Sequence, residues 1–270
     1  MSNSFKYIDI HGHVNLPEFD HDRDEVIERA RRSGVIMVTV GTDVEMSKKA
    51  VELATKHDHF WAIVGIHPTE TKIDSDQLES DFKVLGELAK HPKVIAIGEC
   101  GLDYFHSKPD EISAQKELFK RHIALAEMVN KPLMLHVRNG KLMGSKSDIG
   151  NAYQDTLLML KDHQKIKANF HFFAGAKEDL KNITEAGYTV SYTGVITFTR
   201  DYDELIRSTP ISQIMSETDC PFVPPVPYRG KRNEPAFVIE TVKKIAEIRG
   251  EDEATITERI LGNAKKFFGF

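Results

Sequence analysis

Two cysteines and one tryptophan in 270 residues is little. Two thiols cannot staple a framework, which excludes the small secreted disulfide scaffolds and points to a reducing, cytoplasmic setting. Long apolar runs are missing as well. The longest, such as 35–40 and 94–97, fall far short of the ~20 residues a membrane helix needs. The opening residues 1–6 are polar, so no signal peptide and no membrane association are expected. Nor is one sign of charge in large excess: 36 Lys and Arg stand against 41 Asp and Glu, net −5. That balance excludes a chain that coats nucleic acid through its overall field, and leaves any grip on a polyanion to a local basic loop or a bound metal. No GxGxxG turn or P-loop follows any strand-like run. With 40% hydrophobic and 29% charged residues, the chain can fill a core and solvate a surface, which excludes a mainly disordered protein.

What is present is alternation. Short runs rich in β-branched and aromatic residues occupy 7–10, 35–40, 60–64, 94–97, 168–172 and 188–192, with weaker ones at 133–135 and 213–216. Between them, helical spacing occurs at 23–33, 47–56, 77–90, 112–130, 153–163, 177–186 and 235–249. In 112–130, Leu118, Leu125 and Val129 share a face with Phe119, Ile123 and Ala126, while Lys116, Glu117, Lys120 and Glu127 face away. Gly34 and Gly187 stand where helix C-terminal glycines do. The tail 251–270 reads as one more amphipathic helix packed on the outside. Consecutive strands separated by helices require crossovers and hence a mostly parallel sheet. Eight units over the chain give about 34 residues each, the size of a βαβ motif. The spacing predicts an α/β fold: a single (β/α)8 TIM-type barrel domain over 1–270.

Chemistry-bearing residues gather at the strand ends. The first strand leads into His11-Gly12-His13, and the fourth ends in Gly98-Glu99-Cys100-Gly101-Leu102-Asp103. The fifth ends in His136-Val137-Arg138, the sixth carries His171, and the eighth ends in Glu217-Thr218-Asp219-Cys220-Pro221. Strand alternation lets His11 and His13 face one point, and in a parallel barrel every strand opens its C-terminal end on the same face. Four imidazoles and two carboxylates thus converge on one pocket. A lone histidine is ordinarily a satisfied core or surface residue, and His21, His57, His59, His91, His106, His122 and His163 are read that way. The converging set instead suits a divalent metal, with too little oxygen for a calcium cage and no thiolate for a closed structural zinc site.

These motifs resemble the TatD family of metal-dependent deoxyribonucleases, among the amidohydrolase-like metal barrels. The match is collinear from Asp9-Ile10-His11-Gly12-His13, through Gly65-Ile66-His67-Pro68, Gly98–Asp103 and His136-Val137-Arg138, to Glu217–Pro221, and continues into 228–235. Ile10 departs from the Ser or Thr usual in the family, as does Phe172-Phe173-Ala174-Gly175, and neither removes a ligand. Segment 139–153 is longer and richer in Gly, Ser and Lys than the family leads one to expect, which bears on substrate entry. The resemblance implies two divalent ions (Mg, Mn or Zn): His11, His13 and Asp219 on one, His136 and His171 on the other, Glu99 bridging. It implies water activated between the ions, with Asp219 as proton acceptor. The expected activity is hydrolysis of DNA phosphodiesters, from the 3′ end of single strands, by a monomer.

Around that set, His67 is placed to meet the scissile phosphate, and Arg138, two residues beyond His136, to clamp a phosphate. Asp103 is placed to orient a ligand histidine and Tyr104 to stack on a base, with loop scaffolding the alternative reading of both. The loop after the eighth strand carries Tyr228, Arg229, Lys231 and Arg232, of which Arg229 and Arg232 are read as substrate contacts. Cys100 and Cys220 read as small buried residues, not nucleophiles. The same ligand set also serves carbonyl chemistry, so an ester or amide hydrolase such as a D-aminoacyl-tRNA deacylase is the alternative. A non-catalytic binding barrel is a third reading, and the full ligand set speaks against it.

Overall fold

The computed structural model describes residues 5–140 and 150–270. Eight strands, β1 (Tyr7–Gly12), β2 (Val35–Val40), β3 (Phe60–Val64), β4 (Val94–Asp103), β5 (Leu133–Arg138), β6 (Ala168–His171), β7 (Thr189–Tyr192) and β8 (Ile214–Ser216), form one parallel sheet in sequential order. Helices α1 (Arg23–Arg32), α2 (Val44–Thr55), α3 (Ser75–Leu88), α4 (Ile112–Val129), α5 (Ala152–Leu160) and α6 (Lys177–Glu185) fill the crossovers. They are followed by α7 (Asp203–Ser208), α8 (Val238–Arg249) and α9 (Glu253–Phe268). This is the expected TIM-type barrel. Segment 139–153 lies largely outside the described residues.

The barrel closes between β8 and β1 with specific polar contacts. Asp219 N donates to His11 O at 2.8 Å, His13 N to Cys220 O at 2.7 Å, and Ser216 Oγ to Ile8 O at 3.1 Å. Buried Asp9 accepts from the Thr218 amide at 2.8 Å and from its hydroxyl at 2.5 Å. Strand residues including Ile8, Ile10, Val38, Ile63, Met134 and Met215 form one buried cluster with Phe267 and Phe268 of α9. The last turn of α9 therefore sits under the N-terminal strand ends, where Lys167 Nζ donates to Lys266 O at 2.8 Å. The helices bury their apolar faces against the outer side of the strands, α4 through Leu118, Phe119, Ile123 and Ala126.

Three findings go beyond the sequence reading. The strand that begins at Val94 does not stop at Gly98 but runs on to Asp103, because β5 comes close enough to hold it. Gly101 has φ +137° and a Cβ there would lie 2.2 Å from His136 O, so only glycine admits the approach. The six-residue α7 was not expected, being too short to show a helical period. The ladders also slip within β1, between Asp9 and Gly12, and within β4, between Ile97 and Cys100. Each slip brackets a site residue, His11 in one and Glu99 in the other, and such irregularities re-aim a side chain.

Candidate metal centre

The C-terminal strand ends surround a cavity of about 830 Å³ whose lining includes His13, His67, Glu99, Asp103, His106, His136, Arg138, His171 and Asp219. Buried Glu99 stands at its centre. Its Oε2 lies 3.4 Å from His11 Nε2 and 3.6 Å from His13 Nε2. Its Oε1 lies 2.8 Å from His136 Nδ1, 2.9 Å from His171 Nε2 and 3.5 Å from His67 Nε2. One carboxylate thus presents each oxygen to a different group of imidazoles. Asp219 Oδ1 approaches the first group, 3.4 Å from His13 Nε2 and 3.9 Å from His11 Nε2.

The donor chemistry fits a cation. His13 Nδ1 sits 3.1 Å from Val40 O, so it carries the ring proton and leaves Nε2 as a lone pair. That nitrogen lies 3.2 Å from His11 Nε2 and beside oxygens of Glu99 and Asp219, a cluster of donor atoms of the kind that holds a divalent cation. Ligand atoms around one tetrahedral ion stand roughly 3.3 Å apart, given metal–nitrogen distances near ~2.0 Å. Four separations in the first group, 3.2, 3.4, 3.4 and 3.6 Å, match, while His11 Nε2 to Asp219 Oδ1 at 3.9 Å is wider.

The surroundings hold these rings in place. Asp103 Oδ2 lies 2.9 Å from His136 Nε2 and 2.8 Å from His106 Nδ1, while Oδ1 accepts the amides of Phe105 and His106. Burial works against ionisation of Asp103, but the bonds from His136 and His106 hold its carboxyl well below the usual range. Glu217 accepts from the Phe172 amide at 2.5 Å and Ser191 Oγ at 2.7 Å, with its Oε1 3.4 Å from His171 Nδ1. Carboxylates behind ligand histidines fix tautomer and orientation. Burial also opposes the charge on Glu99, yet His171, His11 and His67 keep its carboxyl well below the usual range. Burial, then the neighbouring His136, push His67 down to about 3, so it is neutral at physiological pH.

Comparison with known proteins decides the family. A family model described as TatD related DNase matches residues 8–269. The chain belongs to the TatD family. It is 36% identical to the uncharacterized metal-dependent hydrolase YabD of Bacillus subtilis, over 96% of this chain and 98% of that one. It is 33% identical to the 3′-5′ ssDNA/RNA exonuclease TatD of a Rahnella species, over 94% and 96%. The fold is shared with YJJV, a TatD homolog from Escherichia coli, at a TM-score of 0.86 and 24% identity, covering 98% of this chain and 99% of that one. This TatD-family protein is a metal-dependent hydrolase.

The structure brings His11, His13, Glu99, His136, His171 and Asp219 together, with His67 and Asp103 against them. Arg138 lines the cavity, its guanidinium 4.4 Å over the Phe105 ring. Two expectations need correction. Tyr104 cannot stack on a base: it is 1% exposed in the core, its hydroxyl donating to Asp155 at 2.5 Å. Arg232 is committed to Asp22 Oδ2 and Glu18 O, both at 2.6 Å, and lies over Phe19, pinning its loop to the loop after β1. Arg229 stacks on Phe198 at 3.9 Å. Both cysteines are fully buried, as expected.

Two site residues escaped the sequence reading. His106 lines the cavity but lies in a loop, where spacing carries no information. Glu217 stands one residue past β8, in the same strand-end motif as Asp219, which is the signal that could have found it. Among the described residues no helix is long and apolar enough to cross a membrane.

Proposed function

We propose that this protein is a nucleic-acid phosphodiesterase that trims single-stranded DNA from the 3′ end, using two divalent ions. The observation that carries the reading is Glu99, whose two oxygens face separate imidazole groups. His11, His13 and Asp219 would hold one ion, His136 and His171 the other, with Glu99 between them. Bound there, such ions would acidify water and draw charge from the phosphoryl oxygens. Asp219 then takes the proton of the attacking water, Arg138 pairs with the non-bridging oxygens, and Asp103 keeps His136 in one orientation. Arg138 on the cavity lining favours a phosphate-bearing substrate, and the Rahnella relative named as an exonuclease supports the same choice.

The test uses 5′-labelled single-stranded DNA with Mg²⁺ or Mn²⁺, beside Asp219→Asn. A ladder shortening from the 3′ end, absent in the variant, is the expected result. No cleavage by protein that does hold metal would refute the reading and move the assignment to carbonyl hydrolysis, with aminoacyl-tRNA the next substrate.

A further inference from the structure

Among the described residues, six large apolar side chains are substantially exposed. Four of them, Phe105, Phe198, Phe222 and Val226, stand on loops that follow β4, β7 and β8, on the face of the barrel where the cavity opens. Phe105, Phe198 and Phe222 are 44%, 42% and 49% exposed. Phe222 lines the cavity, its ring 6.3 Å from that of His13. The other two rings each carry an arginine: Arg138 at 4.4 Å over Phe105 and Arg229 at 3.9 Å over Phe198. The loops are tied to one another, Val226 N donating to Thr197 Oγ1 at 2.8 Å.

We propose that these Phe–Arg pairs, with Phe222, form a stacking rim that binds the unpaired bases of a single strand on either side of the bond being cut. The proposal rests on the phosphodiesterase reading and adds to it the feature that selects single strands. A guanidinium held over a ring is already ordered. It offers its outer face to a base and its N–H edge to a phosphate. The exposed parts of the phenyl rings offer further π faces, which accept any base. In a duplex the base faces are already stacked on one another, so a paired strand gains nothing from the rim.

The test separates stacking from backbone contact. Binding of a labelled thymidine decamer and of an abasic decamer is measured by fluorescence anisotropy in the Asp219→Asn background. Phe105→Leu, Phe198→Leu and the double substitution are compared, because leucine keeps apolar bulk and removes the π face. Each substitution is expected to raise Kd for the thymidine decamer about tenfold. Kd for the abasic decamer is expected to stay constant, and Phe198→Trp to restore base-dependent binding.

Parallel weakening for both oligonucleotides, no change in either, or no binding of the thymidine decamer at all would overturn the rim. If the wild-type enzyme trims DNA while the phenylalanines show no base-dependent effect, the rim alone falls. If it cuts no phosphodiester yet base-dependent binding persists, the rim stands and the proposed activity falls.

Discussion

His122 offers a pH test of how the site is supported from behind. It lies in α4, wholly buried, with Nδ1 2.8 Å from Leu118 O and Nε2 accepting the Ile66 amide at 3.0 Å. Both contacts together require a neutral ring: protonated Nε2 would point its hydrogen at the Ile66 N–H. Burial accordingly pushes His122 down from 6.5 to about 4. Unfolded, the ring takes up a proton as pH falls below about 6.5; folded, it resists until about 4. Stability is therefore full above pH 6.5 and drains away between the two values. At about 1.4 kcal/mol per pH unit, this one group removes about 2 kcal/mol by pH 5 and about 3 kcal/mol below pH 4. The assay is denaturant unfolding in EDTA between pH 7 and pH 5, comparing the wild type with His122→Gln. Glutamine keeps an acceptor for Ile66 and cannot titrate, and the other histidines contribute equally to both chains. The variant is expected to start less stable, having lost the edge contact with Phe82, and to fall less steeply. Parallel slopes would refute the assignment of a neutral His122.

Three further outcomes test the centre. Glu99→Gln should lower metal content, read by mass spectrometry, together with activity, since its two oxygens face both groups of histidines; full metal content with full activity would refute it. Asp103→Asn should cost about 10–100-fold in metal affinity or turnover, because Oδ2 meets the two rings and Oδ1 accepts two backbone amides, and an amide side chain offers only one acceptor oxygen for both places. Arg138→Ala should lower kcat/KM for phosphodiesters about 10–100-fold, the scale of a charge-assisted bond, and leave metal content unchanged; equal loss of both would make Arg138 structural.

The barrel was legible because each strand is buried on both faces and so reads as a short apolar run, and because crossover helices show their own period. The six converging side chains were legible for a related reason. Topology alone delivers the C-terminal ends of parallel strands to one face, so residues such as His136 and His171 are neighbours whatever the intervening chain does. Tyr104 and Arg232 were misread because sequence gives a residue's loop but not the direction of its side chain. Tyr104 follows the pocket residue Asp103, and its ring turns into the core to reach Asp155, 51 residues away. Arg232 belongs to a basic loop, yet Asp22 had already claimed its charge from the other side of the barrel seam.

That seam explains why the first group of candidate ligands is fixed although Asp219 lies more than 200 residues from His11 and His13 in sequence. His11 and His13 leave β1, Asp219 follows β8, and the backbone bonds from Asp219 to His11 and from His13 to Cys220 lock the three into one register. Asp9 and Thr218 make the lock selective: a carboxyl without solvent, accepting both the amide and the hydroxyl of one residue, admits no neighbouring register. Gly12 closes the remaining space, since a Cβ there would lie 2.8 Å from Cys220 Sγ. The motif residues that do not line the cavity, Asp9, Gly12, Thr218 and Cys220, thus hold His13 and Asp219 in one register, and with it the geometry offered to an ion.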